Sequence, residues 1–326
     1  MEKVRLGIIG CGGFARWHMQ NLIAIPEVQI TALADPDPVQ IRTSRDRFAD
    51  LQHAADFVDY RELLAQADVD AVLIATPHTQ HLSQIEDSFR AGKHVIVDKP
   101  LCTSVADVHA AIKARDASGK VGLLSYQRHT SAEYCLIRQR IQEGAIGTLQ
   151  HASIFLCQEW LKFTVGSWRQ DPALSGGGML LDSGSHMLDA LLWCTGLQPE
   201  TVVAFTENRS TPVEINSAAA IRFRGGALGT ITVCGDAPGW QEEFTLWGDK
   251  GMISLRQGKI TFTEQNGSRF LAEEVRGGSN PDQNFIDCVR GRAENQSPFE
   301  AGLAVMGLTE AVYRSAANGG APYTVA

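Results

Sequence analysis

Between Lys3 and Leu124 five short apolar runs, VRLGIIG, VQITALAD, DAVLIATP, KHVIVDKP and KVGLLSY, alternate with stretches of helical character. Short buried runs separated by helices predict a parallel, doubly wound sheet, because crossover helices cover both faces and leave no polar alternation in the strands. That pattern confines the first part of the chain to an α/β domain. At 326 residues the chain exceeds the roughly 250 to 300 residues over which a single hydrophobic core grows, so a second core is expected.

The pattern then changes. Helical segments are expected around Ala132–Glu143 and Asp182–Cys194, followed by strands with alternating faces: TLQHASIFLCQ, TVVAFTEN, NSAAAIRFR, ALGTITVCG, EEFTLWGD, GMISLRQ and KITFTEQ. Glycine-containing turns such as RGGA, GDKG and NGS separate them, which reads as an antiparallel sheet. Two helices, Pro281–Arg290 and Glu300–Ala317, close the chain. The expected organisation is a dinucleotide-type domain over residues 1–124 and an α+β domain with a large, mostly antiparallel sheet over residues 125–326. Ile221, Phe223, Ile231, Val233, Phe244 and Leu246 supply apolar faces with few helices left to cover them, so self-association into a dimer or tetramer through this sheet is expected.

Composition removes several classes of function. The net charge of −8, without a basic run, disfavours nucleic acid and anionic membranes as partners. No stretch approaches the roughly 20 apolar residues of a membrane span, and the apolar run of MEKVRLGIIG is too short for a signal-peptide core. The seven cysteines are scattered without a C-x-x-C pair, which argues against a disulfide framework or a zinc site. A cytoplasmic enzyme or binding protein is the expectation.

Gly10-Cys11-Gly12-Gly13-Phe14-Ala15 forms a G-x-G-x-x-A placed after a strand and before a helix. Glycine permits the tight turn and the close approach of a pyrophosphate, and a small third residue lets helix and strand pack. Such a pattern alone also fits a plain strand-to-helix turn. Asp35, 20 residues after Ala15 at the end of the second strand, decides for the dinucleotide, since a carboxylate there can accept the ribose hydroxyls. The same Asp35 also suits the start of the Asp35-Pro36-Asp37-Pro38 turn. An acid at this point repels a 2′-phosphate, and Arg42 and Arg45 lie further on, so NAD is expected over NADP. The next strand ends, Ala75-Thr76-Pro77 and Asp98-Lys99-Pro100, point to the same crevice.

These segments, GIIGCGGFARWH, AVLIATPHTQH, AGKHVIVDKPL, GGGMLLDSGSHMLD and EAVYRSAANG, resemble in order the glucose-fructose oxidoreductase and inositol dehydrogenase family. The resemblance implies a Rossmann domain, a C-terminal domain whose open sheet supports dimers, and a tightly held NAD or NADP. It implies that Lys99 is the lysine of the family's E-K-P motif and that Asp182 and His186 are its D-x-x-x-H catalytic pair. This chain departs from the family in carrying Asp98, shorter by one methylene than the usual Glu.

Read from the residues alone, Asp182 and His186 stand four apart on one helical face, so that the acid can orient and stabilise the histidine. They also fit a helix cap and a core histidine against Met187 and Leu191. His78 and His81 lack the further ligands of a metal site, and His81 is expected near the cofactor or capping its helix. The resemblance places Tyr126, Gln127 and Arg128 along the active-site wall, with Trp168 and Arg169 as further substrate contacts. The function this implies is hydride transfer between nicotinamide and a secondary alcohol or ketone carbon of a polyhydroxylated sugar or cyclitol, with His186 or Lys99 handling the proton. An NAD-dependent glycosidase and a non-catalytic NAD-sensing regulator are the two competing expectations.

Overall fold

The computed structural model describes residues 3–264 and 266–325. Gln265, the last residue of the expected KITFTEQ strand, lies outside them. In chain order the elements are β1 (Val4–Ile9), α1 (Gly13–Ile23), β2 (Val28–Ala34), α2 (Pro38–Arg47), β3 (Ala55–Phe57), α3 (Tyr60–Gln66), β4 (Ala71–Ile74), α4 (His81–Arg90), β5 (His94–Val97), α5 (Val105–Ser118) and β6 (Gly122–Leu124). There follow α6 (Ala132–Gln142), β7 (Leu149–Cys157), α7 (Trp160–Thr164), α8 (Pro172–Ser175), α9 (Ser185–Thr195), β8 (Pro199–Glu207), β9 (Asn216–Phe223), β10 (Leu228–Cys234), β11 (Gln241–Gly248), β12 (Met252–Arg256), β13 (Lys259–Glu264) and β14 (Gly267–Phe270). The chain ends with α10 (Pro281–Val289), α11 (Phe299–Ala317) and β15 (Tyr323–Thr324). Two compact units result: Met1–Cys102, Ala106–Gln127 and Ser279–Gly302 form the first, and Thr103–Val105, Arg128–Gly278 and Leu303–Ala326 the second.

The first unit holds a six-stranded parallel sheet in the order β3-β2-β1-β4-β5-β6. Its inner strands β1, β4 and β5 are almost wholly buried, with every residue of β4 buried, as a sheet covered by helices on both sides requires. The strand order reverses between β1 and β4, so the carboxyl ends of these two strands form the crevice where such sheets bind ligands. Residues 279–302 return to this unit, whereas the sequence had assigned everything after residue 124 to the second domain. Phe285 and Ile286 of α10 join Leu6, Ile8, Met19, Leu73, Ile96 and Leu123 in one core, and Leu124 N donates to Ser297 O at 2.9 Å.

The second unit holds a nine-stranded sheet, β14-β13-β12-β11-β7-β10-β9-β8-β15. It is mixed rather than wholly antiparallel: β7 runs parallel to β10, with Ile154 opposite Ile231, and antiparallel to β11. The β10-to-β11 connection straddles β7, so a strand inserted between two oppositely directed neighbours must be parallel to one of them. Burial alternates strictly along β9 and β10, the period-2 signature of a sheet with one covered face.

The six apolar residues expected to form the open face all point the other way. Ile221, Phe223, Ile231, Val233, Phe244 and Leu246 are buried within this chain. Elements of the same unit cover them: Tyr134 of α6 meets the Phe244 ring edge-on at 5.7 Å, and Ser315 Oγ of α11 accepts from Ala204 N of β8 at 2.9 Å. The open face carries Phe205 (62% exposed), Leu228 (50% exposed), Ala218, Ala220, Thr230 and Thr232 instead.

The phase of this alternation is testable by urea denaturation of neighbouring variants. Ile231→Ala should lower the unfolding free energy by roughly 2–5 kcal/mol through the cavity it leaves. Thr230→Ala, one residue away on the open face, should stay within about 0.5 kcal/mol. Equal effects would mean that the faces are reversed.

Candidate active site

The glycine turn of the first unit is set by a close backbone approach. Gly10 has φ +84, and a Cβ there would lie 2.7 Å from Ala75 O, so only glycine fits. Around Gly12 and Gly13, in contrast, an added Cβ would meet nothing within 4 Å. The first turn of α1 contains no acidic residue and no side chain caps it. Its N–H groups, with the positive end of the helix dipole, therefore face open space, which fits a pyrophosphate. Ala15 is buried where helix and sheet pack, and Phe14 is exposed at the turn.

Asp35 takes both roles expected of it. Its Oδ2 accepts from Cys11 N at 2.8 Å, tying the end of β2 to the glycine turn, and its Oδ1 accepts from Asp37 N at 2.9 Å to begin the following turn. Each oxygen retains a lone pair for a further donor. Arg45 is committed elsewhere, pairing with Asp56 at 2.6 Å. Arg16 Nη1 donates to Cys11 O at 2.7 Å and to Gln40 Oε1 at 3.2 Å.

At the next strand ends, Thr76 Oγ1 donates to Gln84 Oε1 at 2.6 Å. His81 is fully buried, with Nδ1 2.8 Å from Pro100 O and Nε2 3.0 Å from Thr76 O. Burial pushes its pKa down, against the two carbonyls, which pull it up. It ties the β4 and β5 loops together, with both ring nitrogens turned to protein rather than to ligand. Ala75, Thr76 and Pro77 lie half-buried beside it. Lys99, a surface charge in most such positions, is only 3% exposed, and its ammonium lies 5.5 Å from the centre of the Phe14 ring. Asp98 is held near His18, a residue that sequence reasoning passed over.

In the second unit, Leu180–Gly184 forms a π-helical turn that leads into α9, where the sequence predicts one regular helix from Asp182. Gly184 N donates to Met179 O at 2.8 Å, the i-to-i+5 bond of that turn. Asp182 is buried on it, and its Oδ2 accepts from Trp160 Nε1 and from Arg169 Nε, each at 2.9 Å. The acid is thus an anchor for two donors from other segments, in addition to standing one turn before the half-buried His186. Arg169, expected to face substrate, is an ion-pair partner of Asp182 and stacks at 4.4 Å over the Trp168 ring. Arg128 is likewise committed: its guanidinium pairs with Glu242 at 2.6 Å, within a buried group that includes Tyr134. Tyr126 is buried and belongs to the first unit.

The device that holds the π turn was not foreseen. Glu214, buried, accepts from Gly178 N at 2.6 Å, Leu180 N at 3.0 Å and the Tyr313 hydroxyl at 2.8 Å, while its carbonyl accepts from Met179 N at 3.0 Å. Burial pushes its carboxyl pKa up, against these donors, which pull it down. A Cβ on Gly178 would overlap the Glu214 carbonyl oxygen, so the GGG run serves close backbone approach as well as flexibility. Among the described residues no group of three or more His, Cys, Asp or Glu side chains could hold a metal, and no helix is long and apolar enough to cross a membrane.

The sheet order, the uncapped glycine turn and Asp35 define an NAD-binding Rossmann oxidoreductase. The sequence model for the oxidoreductase family with an NAD-binding Rossmann fold matches residues 4–126, and that for the GFO/IDH/MocA C-terminal domain matches residues 134–254. The chain belongs to the Gfo/Idh/MocA family of oxidoreductases. It is similar to myo-inositol 2-dehydrogenase of Thermotoga maritima, 25% identical over 82% of this chain and 80% of that protein. It is also similar to dTDP-3,4-didehydro-2,6-dideoxy-α-D-glucose 3-reductase of Saccharopolyspora spinosa, 26% identical over 77% and 74%. Among solved structures, the WlbA dehydrogenase of Bordetella pertussis, crystallised with NADH and UDP-GlcNAcA, superposes with a TM-score of 0.89 at 26% identity, covering 100% of this chain and 98% of that one.

Gly178→Ala should lower the unfolding free energy by roughly 1–3 kcal/mol, the usual range for forced overpacking, whereas Gly12→Ala should fold normally because its Cβ meets nothing. Thermal unfolding of the two variants provides the comparison, and a normal melt for Gly178→Ala would refute the Glu214 anchor.

Proposed function

We propose that this chain transfers a hydride between NAD and a secondary alcohol or ketone carbon on a six-membered polyhydroxylated ring, a sugar, sugar derivative or cyclitol. The observation that carries the reading is Lys99: an ammonium withdrawn from solvent at the carboxyl end of β5, in the same unit as the open glycine turn. Burying a cation costs free energy, which favours a role toward a developing negative charge over a solvated surface charge. The ring compounds in the names of two relatives, myo-inositol and a dTDP-linked deoxyhexose, share this chemistry.

When bound, nicotinamide supplies the redox half of the reaction, taking up or returning the carbon-bound hydrogen with its electron pair. The chain's part is the proton and the charge. In the oxidation direction His186 accepts the hydroxyl proton, and Lys99 stabilises the alkoxide as it forms. Asp182 fixes the segment bearing His186 through Trp160 and Arg169. Lys99→Ala or His186→Ala should lower turnover roughly 100-fold to 10,000-fold, about 3 to 5 kcal/mol of transition-state stabilisation, with NADH affinity largely retained. A panel of sugars and cyclitols assayed for NADH formation, run beside aryl glycoside cleavage, tests the reaction class. Glycoside cleavage without net NADH would favour a hydrolase, and no reaction with any substrate would favour a sensor.

NAD is preferred over NADP in this reading because Asp35, at the end of β2, would repel a 2′-phosphate and Arg45 is already paired with Asp56. Tighter binding of NADPH than NADH in a fluorescence titration would overturn it. Self-association is proposed through the open face of the nine-stranded sheet, which exposes Phe205 and Leu228 beside Ala218, Ala220 and Thr230. Light scattering should show a dimer or tetramer at micromolar concentration, and Leu228→Asp should shift it toward monomer.

A further inference from the structure

His18 lies on α1, five residues beyond Gly13, and is entirely buried. Its Nδ1 stands 2.6 Å from Asp282 Oδ1, and Asp282, also entirely buried, receives Asn21 Nδ2 on its other oxygen at 2.9 Å. Its Nε2 faces Asp98 Oδ1 at 3.9 Å and Ser125 Oγ at 3.4 Å, and the Trp17 ring packs edge-on at 4.8 Å. Asp282 comes from α10, Asp98 follows β5 and Ser125 follows β6, so one imidazole meets groups from three separate elements of the first unit.

The geometry restricts the protonation state. A carboxylate only accepts, so at 2.6 Å the proton between His18 and Asp282 belongs to Nδ1. A neutral ring would then turn toward the Asp98 carboxylate a lone pair, to which only the Ser125 hydroxyl could donate, whereas an imidazolium turns an N–H toward both oxygens. Burial would push this pKa down, but the charge and hydrogen bond of Asp282, with Asp98 behind them, raise it to about 10. A raised value means that the stabilisation is complete below the ordinary histidine range and is lost as pH climbs through about 10.

We propose that His18, clamped as a cation by Asp282, is a positioning residue for the Asp98-Lys99 segment: it holds the Asp98 carboxylate in place and thereby sets the nicotinamide-side end of the cofactor site. The proposal rests on the reading of Asp98 and Lys99 as cofactor-side residues. The 3.9 Å gap to Asp98 exceeds a hydrogen bond, so the hold is one of charge, and it vanishes if the ring loses its second proton. Asp282 is thus what makes the hold insensitive to pH across the neutral range.

The test uses the full chain with 15N-labelled histidine, and His18→Gln to assign the His18 signals. Without any ligand, both His18 ring nitrogens should keep imidazolium shifts up to pH 8.5 in the natural protein. In the isosteric Asp282→Asn variant the titration midpoint should fall below 8. A midpoint at or below 8 in the natural protein would overturn the clamp. NADH affinity, read by fluorescence, should be flat from pH 6.5 to 8.5 in the natural protein and weaken at least threefold over that span in Asp282→Asn. A pH-independent affinity in a variant whose His18 midpoint has moved below 8 would show that the imidazolium does not position the cofactor site. A merely structural histidine would not create that dependence. Failure of the natural protein to bind NADH would count against the cofactor-side reading, whereas the histidine titration judges the clamp independently of it.

Discussion

The close passage of backbone at Gly10 is the constraint from which the nucleotide side follows. Gly10 N donates to Ala34 O at 2.8 Å, and its missing side chain lets Ala75 O approach from the other neighbour. The ends of β2 and β4 thus close on the end of β1 at one residue, which no L side chain could occupy at φ +84. The chain must leave that point as a tight turn, so α1 starts with its amides uncapped, and Asp35 can reach Cys11 N. The uncapped helix end and the position of Asp35 are consequences of one approach.

In both units, carboxylates buried or half-buried in the fold hold particular segments through their own donors. Asp35 ties the glycine turn, Glu214 the π turn, Asp182 the Trp160 and Arg169 segments, and Asp282 the middle of α1. The Gly176-Gly177-Gly178 run offers no side chain to bury by packing, but it offers amide N–H groups. A carboxylate that accepts two or three of them in a low-dielectric interior holds a backbone more specifically than a methyl contact does. The cost is desolvation, visible in the raised pKa of Glu214. The arrangement also pairs Arg128 with Glu242 and Arg169 with Asp182.

The apolar runs of the parallel sheet were legible because burial on both faces leaves a continuous signal, and the glycine turn because its spacing is set by backbone geometry. The second sheet was legible as strands but not in phase: alternation along NSAAAIRFR shows that two faces exist without saying which one helices will cover. β3, β14 and β15 were missed because two to four exposed residues carry no periodic signal. The parallel pairing of β7 with β10 depends on which strands flank β7, a choice local pattern does not encode. His18 and Asp282, 264 residues apart, were invisible for the same reason: each reads as an ordinary polar position on its own helix.

The formal charge of −8 stands beside an NAD-binding domain, although NAD is itself an anion. At physiological ionic strength the Debye length is about 8 Å, so the summed charge of the surface is largely screened from a ligand more than that distance from most of it. What such a ligand meets is the local field, and here the first turn of α1 carries no acid while the helix dipole presents positive potential. Asp35, beside that turn, is occupied by two backbone amides. An acidic protein can therefore bind an anion wherever its carboxylates are spent on its own donors, and the charge that decides recognition is the one left over at the site, not the one summed over the chain.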